Sequence, residues 1–237
     1  MTISLCLLVW NELEGCKRDI PNVPRSEFDE IYAIDGGSSD GTVEYLESQG
    51  ITVHQQSKKG LNAAYIDAAA VSSCDAVAVF FPKGTIPVSD LAKFRLYLES
   101  GSELVIASRQ VRGSVNEEDS SFFRPRKWAV RCLALLAALL WRREGYWVRD
   151  TLHGVKAFTR SAFSRMRILD HGLSIDIEMV ARAYKLRIPR CEFPTIESAR
   201  SSGASHFKIG KTGMLLLKYL WFELRRKESP DKVGEEA

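Results

Sequence analysis

The residues best suited to chemistry near the start of the chain lie in the stretch 31–42, IYAIDGGSSDGT. Its apolar part, residues 31–34, predicts a short strand that ends in an acid, Asp35. Two glycines and two serines follow, and Asp40-Gly41-Thr42 predicts the start of a helix. Ligands of open parallel sheets bind just beyond the carboxyl ends of strands, and glycines let a ligand approach the backbone. A carboxylate here suits a nucleotide base or ribose, although the same residues also form ordinary turns.

The elements around this stretch alternate between apolar runs and helical patterns. Ile3–Val9 is a continuous apolar run, as expected of a strand buried on both faces. Further strands are predicted at residues 51–54, 76–81 and 104–107, with helices between them. This alternation predicts an α/β fold with a Rossmann-like, doubly wound, mostly parallel sheet flanked by helices.

Two apolar segments follow in the second half of the chain. Within the predicted helix 128–141, residues 132–141 are uninterrupted apolar residues, too few to span a bilayer. This helix is either buried or lies in a membrane interface. Residues 209–227 predict a C-terminal amphipathic helix that either lies in the membrane plane or docks on the core.

Charge and cysteine usage suggest the setting. Residues 1–100 hold 8 Lys/Arg and 14 Asp/Glu, whereas residues 101–237 hold 25 and 16. The basic second half therefore suits phosphates or an anionic membrane. Five scattered cysteines without metal spacing indicate a reducing, cytoplasmic protein. The apolar N-terminus lacks a basic leader and is interpreted as a strand, not a signal peptide.

Seven segments resemble, in order, the motifs of the family-2 glycosyltransferases of the GT-A fold, especially the dolichol- or polyprenyl-phosphate mannose synthase-like branch. They are residues 10–12 (Trp-Asn-Glu), 35–42, 59–64 (Lys-Gly-Leu-Asn-Ala-Ala), 107–109 (Ala-Ser-Arg), 148–158, 173–178 (Leu-Ser-Ile-Asp-Ile-Glu) and 200–206 (Arg-Ser-Ser-Gly-Ala-Ser-His). The resemblance covers roughly residues 3–210. It implies a GT-A domain over 1–210, with a nucleotide-sugar half (1–109) and an acceptor half (110–210). An amphipathic helix and a polar tail occupy 211–237.

The resemblance implies a set of donor-binding residues. In it, Asp35 accepts a hydrogen bond from the base, Trp10 stacks on the base, and Lys59 meets the diphosphate at a helix start. Asp40 is expected mainly to fix the loop. Glu12 and Lys59 could instead be solvated charges. The full set is Trp10, Glu12, Asp35, Asp40, Lys59, Lys83 and Arg200.

The chain departs from the family after the fourth strand. The family has an Asp-X-Asp motif there that binds a divalent metal, and this chain has Phe81 and Lys83 at the two acidic positions. Phenylalanine has no ligand atom for a hard cation, and lysine repels one. Either the Lys83 ammonium replaces the metal on the departing diphosphate, or the site has lost its chemistry. The first is favoured because other phosphate-facing cations persist, so a Mg or Mn cofactor is doubtful.

The resemblance also implies an acceptor side. A phosphate acceptor needs no general base, whereas a hydroxyl acceptor would need Asp176 or Glu178, unless these acids form structural salt bridges. The acceptor-phosphate set is Arg109, Arg124, Arg126, Lys156, Ser205 and His206.

The sequence therefore predicts an inverting hexosyltransferase that uses a nucleotide-diphosphate sugar and a polyprenyl-phosphate acceptor. It would be peripheral on the cytoplasmic face of a membrane and would bind no nucleic acid. One alternative is transfer to a saccharide hydroxyl. Another is a non-catalytic subunit that binds nucleotide sugars.

Overall fold

The computed structural model describes residues 1–120, 124–170, 172–198 and 209–226. Its centre is a seven-stranded sheet with the strand order β3-β2-β1-β4-β6-β5-β7. The strands are β1 (Ile3–Val9), β2 (Glu30–Asp35), β3 (Thr52–Gln55), β4 (Ala76–Phe80), β5 (Leu104–Ser108), β6 (Lys156–Thr159) and β7 (Arg190–Pro194).

Helices cover both faces of this sheet. The α-helices are α1 (Leu13–Asp19), α2 (Thr42–Ser48), α3 (Leu61–Val71), α4 (Lys93–Glu99), α5 (Pro125–Trp141), α6 (Arg160–Met166), α7 (Ile175–Lys185) and α8 (Ile209–Arg225).

Every strand pair is parallel except the two made by β6, which runs antiparallel between β4 and β5. The prediction of a mostly parallel α/β sheet flanked by helices, with a helix at the C-terminus, is confirmed. Neither β6 nor β7 was predicted. β6 has only four residues and begins with Lys156, so no apolar run marks it in the sequence.

The sheet separates two apolar cores. Alternate residues of β1 enter each core, and all seven are buried, as the continuous apolar run predicted. The first core includes Tyr65 of α3, Ala137 of α5 and Val180 of α7. The second core lies on the opposite face, where α1 and α4 pack. Residues at the carboxyl ends of the parallel strands thus rest on a rigid base.

Helix α8 docks on α7 through a buried polar cluster. Glu223 has no exposed surface and accepts from Arg182 Nη1 at 3.1 Å, Lys185 Nζ at 2.8 Å and the Tyr219 hydroxyl at 3.0 Å. The opposite face of α8 is apolar and exposed. Of the helices in the described ranges, none is long and apolar enough to cross a membrane.

Candidate active site

The loops that follow β1 and β2 are joined to each other. Asn11 adopts a left-handed conformation (φ +52°), and its amide donates to Ser38 Oγ at 2.9 Å. In return the Ser39 amide donates to Asn11 Oδ1 at 2.8 Å. The Gly36 amide also donates to the Val9 carbonyl at 2.9 Å. The two strand ends therefore present one continuous rim.

Asp40 fixes two helix starts at this rim. Its carboxylate accepts from the Leu13 amide of α1 and from the Thr42 amide of α2, each at 3.1 Å. Partial burial acts to raise the pKa of Asp40, but hydrogen bonds from Thr42 and Leu13 outweigh it and lower that pKa. This geometry agrees with the expectation that Asp40 fixes the loop.

Asp35 organises its own loop from inside. The residue is 1% exposed, and its carboxylate accepts from the Gly37 amide (2.9 Å), the Ser38 amide (3.0 Å) and Gln55 Nε2 (2.6 Å). Gln55 was not identified from the sequence, although it lies opposite Asp35 in the β2–β3 register. The contact of Asp35 with a nucleobase stays a prediction.

Trp10 and Lys83 stand at neighbouring strand ends. Trp10 follows β1 and is 55% exposed, so its ring is accessible for stacking on a nucleobase. Lys83 follows β4, with its Nζ 3.8 Å from Glu12 Oε1 and 4.9 Å from the Phe81 ring centre. The structure thus brings together Glu12 and Lys83, two residues predicted to bind the donor, and places Trp10 at the neighbouring strand end.

The Lys83 loop is held tightly against α1. A Cβ added to Gly15 would lie 2.0 Å from the Pro82 carbonyl oxygen, so only glycine allows this approach. Gly84 has φ +65°, and its amide donates to Asp19 Oδ2 at 2.8 Å. Burial raises the pKa of Asp19, and the Gly84 amide acts against that rise.

Lys59 is exposed just before α3, where the sequence predicted it. Gly60 beside it has φ +119° and lies against Gly172, whose carbonyl oxygen would be 3.0 Å from an added Cβ. Lys58 also pairs with Asp170 at 2.7 Å. The start of α3 is therefore fixed by the segment that leads into α7.

Glu178 corrects one prediction. It has no exposed surface, and its carboxylate accepts from Asn62 Nδ2 (3.0 Å), Ser174 Oγ (3.1 Å) and the Leu169 amide (2.9 Å). Burial raises the pKa of Glu178. Because substrate cannot reach this carboxylate, Glu178 joins α3 to α7 and is not placed to act as a base.

The position of Lys156 corrects a second prediction. This residue was predicted to bind the acceptor phosphate, but its side chain is fully buried and its Nζ donates to Asp176 Oδ1 at 2.6 Å. The two predicted roles thus meet in one ion pair between β6 and α7. Asp176 keeps 15% of its side chain exposed, so its proposed role as a base stays a prediction.

Arg109 is held by two carboxylates. Its Nε and Nη2 donate to Asp150 at 2.8 and 2.9 Å, and its Nη1 donates to Glu197 at 3.0 Å. Burial acts to raise the pKa of Asp150, but the Arg109 guanidinium outweighs it and lowers that pKa to about 2. The pair fixes the carboxyl end of β5, and phosphate binding by Arg109 stays a prediction.

The other predicted acceptor residues are less defined. Arg124 Nη1 donates to Asp119 Oδ1 at 3.0 Å just before α5. Arg126 belongs to the first turn of α5, and its side chain lies outside the described residues. Arg200, Ser205 and His206 also lie outside the described residues.

The side chains at the position that the sequence predicted for the family metal motif do not fit a divalent cation. Phe81 offers no ligand atom, and the Lys83 ammonium repels a cation. Across the described part of the chain, no group of three or more His, Cys, Asp or Glu side chains is arranged to hold a metal. The chemistry of these side chains therefore differs from an Asp-X-Asp site.

The sheet order and the joined loops define the class of the protein: it has a GT-A fold. The chain belongs to glycosyltransferase family 2, because the sequence model described as "Glycosyl transferase family 2" matches residues 5–167.

A curated relative is Glycosyltransferase AglJ from Haloferax volcanii. It is 28% identical over 204 residues, which are 85% of this chain and 65% of AglJ. The chain therefore spans slightly less than two thirds of the length of that relative.

Solved structures of glucosyl-3-phosphoglycerate synthase from Mycobacterium tuberculosis share the fold. The complex with Mn²⁺, UDP and glucosyl-3-phosphoglycerate superposes with a TM-score of 0.73 at 20% identity, covering 96% of this chain and 81% of that chain. The complex with Mn²⁺, UDP-glucose and glycerol 3-phosphate gives a TM-score of 0.70 at 20% identity and covers 96% and 82%. That enzyme thus binds Mn²⁺ together with its donor.

Proposed function

We propose that this protein transfers a hexose, with inversion, from a nucleotide-diphosphate sugar to a lipid phosphate such as a polyprenyl phosphate. The observation that carries the proposal is the Lys83 ammonium beside Glu12 at the joined strand ends. The sequence predicted the metal-binding acids of the family motif at this position, so the proposal gives the role of the metal to the ammonium.

Lys83 has the charge that the departing diphosphate requires. A positioned cation stabilises negative charge as it develops, and it does so most strongly in a site that excludes water. The backbone of the 82–84 turn is held by α1 through Gly15 and Asp19. The backbone that carries the ammonium is therefore fixed, and Glu12 orients the ammonium before the donor binds.

The engagement of the two predicted bases favours a phosphate acceptor. Glu178 is buried, and Asp176 is paired with Lys156. A hydroxyl acceptor requires a free base to take its proton, whereas an ionised phosphate is already a nucleophile. Transfer to a saccharide hydroxyl with Asp176 as base is the second candidate, since part of this side chain is exposed.

The proposal includes binding to a membrane surface on its cytoplasmic side, and the exposed apolar faces of α5 and α8 support the membrane contact. On α8, Leu217 is 50% exposed and Trp221 is 58% exposed, and the Arg225 guanidinium lies 4.4 Å from the Trp221 ring centre. Exposed Leu135 and Leu139 extend from α5. Apolar side chains with Trp and Arg at the rim are typical of helices that lie in the membrane interface.

A transfer assay tests the proposal. Purified protein is given labelled UDP- and GDP-sugars with polyprenyl phosphate, 3-phosphoglycerate or a free saccharide, in EDTA or with Mg²⁺ or Mn²⁺. We expect a product only with polyprenyl phosphate, formed at similar rates in EDTA and with metal.

The other outcomes separate the alternatives. Transfer to the saccharide that disappears in Asp176→Asn would establish the hydroxyl mechanism instead. Nucleotide binding without transfer to any acceptor would identify a binding subunit.

A further inference from the structure

A cleft lies between α5 and the segment that precedes β6. It has a volume of about 370 Å³ and is lined by Gln110, Arg131, Ala134, Leu135, Trp147 and Arg149. This volume lies within the range of small-ligand sites, about 300–1,000 Å³.

The cleft lies at the same edge of the sheet as the donor loops. Gln110 follows the carboxyl end of β5, and β5 is two strands from β4, which leads to Lys83. Neighbouring strands are about 4.8 Å apart, so the two strand ends are roughly 10 Å from each other. A ligand in the cleft would therefore lie near the strand ends that carry the predicted donor site.

The charge of the cleft suits an anion. Arg131 and Arg149 are exposed, and no acid is present among the described residues that line it. Arg131 Nε donates to Gln110 Oε1 at 3.0 Å, which fixes the amide. The Arg149 guanidinium lies 5.5 Å from the Trp147 ring centre. The backbone amide of Arg149 donates to Glu192 at 2.8 Å.

One buried group points independently to a ligand. Gln110 is only 9% exposed, and its Nε2 has no hydrogen-bond partner among the described residues. A buried donor without a partner is destabilising. Because Gln110 Oε1 already accepts from Arg131 and Nε2 is itself covered, a small shift of this side chain on ligand binding brings Nε2 to an acceptor atom in the cleft.

The other walls are apolar. Ala134 and Leu135 of α5 lie on one side and Trp147 lies on the other. The outer face of α5 continues past them with exposed Leu139. An anionic group at the arginines would therefore extend into an apolar chain running along α5.

From this geometry we infer that the cleft binds a phosphate monoester carrying an apolar chain, with Gln110 Nε2, Arg131 and Arg149 on the phosphate and Trp147 and Leu135 on the chain. As the docking site of the acceptor, this inference rests on the proposed function. The residues differ from the acceptor set that the sequence predicted.

Calorimetry with the full chain tests the cleft without any sugar transfer. The probes are mono-octyl phosphate below its micelle concentration, inorganic phosphate and neutral octyl glucoside. We expect octyl phosphate to bind at least about 10-fold more tightly than either of the others, because only it fills both parts of the cleft.

Three variants locate the binding. Arg131→Gln and Arg149→Gln each remove a cation. Gln110→Glu replaces the amide donor by a carboxylate, which repels the phosphate but still offers an oxygen to Arg131. Each should weaken octyl phosphate binding by about 10-fold or more. Arg143→Gln, an exposed cation just beyond α5, should leave it unchanged. Thermal unfolding of each variant verifies that it is folded.

The outcomes for the cleft and for the enzyme are separable. Wild-type affinity for octyl phosphate in folded Arg131→Gln and Gln110→Glu would overturn the inference, as would equal affinity for inorganic phosphate. Binding that depends on Arg131 in a protein that transfers no sugar would uphold the cleft and overturn the proposed function. Transfer with an acceptor KM raised only in the cleft variants would support both.

Discussion

At the scale of single residues, Lys83 and His153 carry the sharpest consequences. Lys83 provides a charge at a strand end where an acid pair is expected, and it lies beside Glu12. His153 lies 4% exposed before β6, and its Nδ1 has no hydrogen-bond partner among the described residues. We expect Lys83 to determine the affinity for the diphosphate and His153 to determine the stability of the fold in acid.

Replacement of Lys83 should weaken diphosphate binding. Lys83→Ala removes the cation, and we expect the Kd of UDP or GDP to rise about 10-fold or more, since a hydrogen bond to a charged group contributes about 1.5–3 kcal/mol. Lys17→Ala, an exposed lysine on α1, is the matched control. Calorimetry in EDTA and with Mn²⁺ should give similar affinities. A strong dependence on Mn²⁺ would contradict the replacement of the metal by lysine.

His153 should make the fold sensitive to mild acid. Burial, followed by the charge of Arg109, lowers the pKa of His153 to about 3, whereas an unfolded histidine has a pKa near 6.5. Between these values the unfolded chain binds the extra proton, so stability rises with pH. The free energy of unfolding therefore decreases as the pH falls below about 6.5, by about 1.4 kcal/mol at pH 5.5.

The measurement is urea unfolding at pH 7.5 and 5.5. His153→Gln should remove about 1.4 kcal/mol of the wild-type difference in unfolding free energy. His54→Gln, on β3, should retain it. If His153→Gln shows the wild-type pH dependence, the histidine is not buried in its neutral form.

Residue types were easier to predict than residue partners. Asp40 could be assigned to its loop because an Asp before Gly-Thr at a helix start accepts local amides. Lys156 and Asp176 were assigned separate roles because the sequence gives no sign that β6 lies directly under the start of α7. Gln55 was missed because the predicted strand ended one residue before it. A contact between distant segments depends on packing, which residue type alone does not specify.

At the scale of elements, the approach of α1 to the β4 loop positions Lys83. Gly15 lets the helix contact the Pro82 backbone, and Asp19 holds the Gly84 amide. The alternation of strands and helices was predictable from apolar runs. The antiparallel β6 was not, since four residues led by a buried lysine lack the apolar signal that marked the other inner strands.

A matched pair of glycine variants tests this approach. Gly15→Ala places a methyl 2.0 Å from the Pro82 oxygen, so we expect a loss of about 1–3 kcal/mol in stability and weaker nucleotide binding. Gly213→Ala in α8 meets nothing within 4 Å and should be neutral or stabilising by up to about 1 kcal/mol. Denaturant unfolding and nucleotide titration provide both readouts. Equal effects of the two changes would show that α1 does not contact the loop so closely.

At the scale of the whole molecule, α8 presents an apolar face to the solvent. The buried Glu223 cluster attaches α8 to α7, so the exposed apolar face of α8 is presented by a fixed helix. The sequence predicted an amphipathic α8 and left its position open between the core and a membrane. The structure shows that α8 does pack on the core, while six large apolar side chains among its described residues are still exposed.

Vesicle flotation tests the membrane surface. In Leu217→Ser/Trp221→Ser we expect at least a 10-fold loss of binding to phosphatidylcholine–phosphatidylglycerol vesicles, since each large apolar side chain contributes about 1.5–3 kcal/mol when buried. Leu96→Ser is the control, because Leu96 is 67% exposed on α4, across the sheet from α8. If the α8 variant floats like the wild type, α8 does not contact the lipid.

The position of β6 determines where the long segment after β5 leaves and rejoins the sheet. β5 ends at Ser108 and its antiparallel neighbour β6 begins at Lys156, so residues 109–155 leave and rejoin the sheet at one edge. The Arg109–Asp150 pair ties the two ends of this excursion together. The cost of closing a loop grows slowly with its length, so the sheet requires only that these ends meet. The excursion can therefore change in length and sequence without disturbing the strands that carry the donor loops, and it contains every described residue that lines the proposed acceptor cleft.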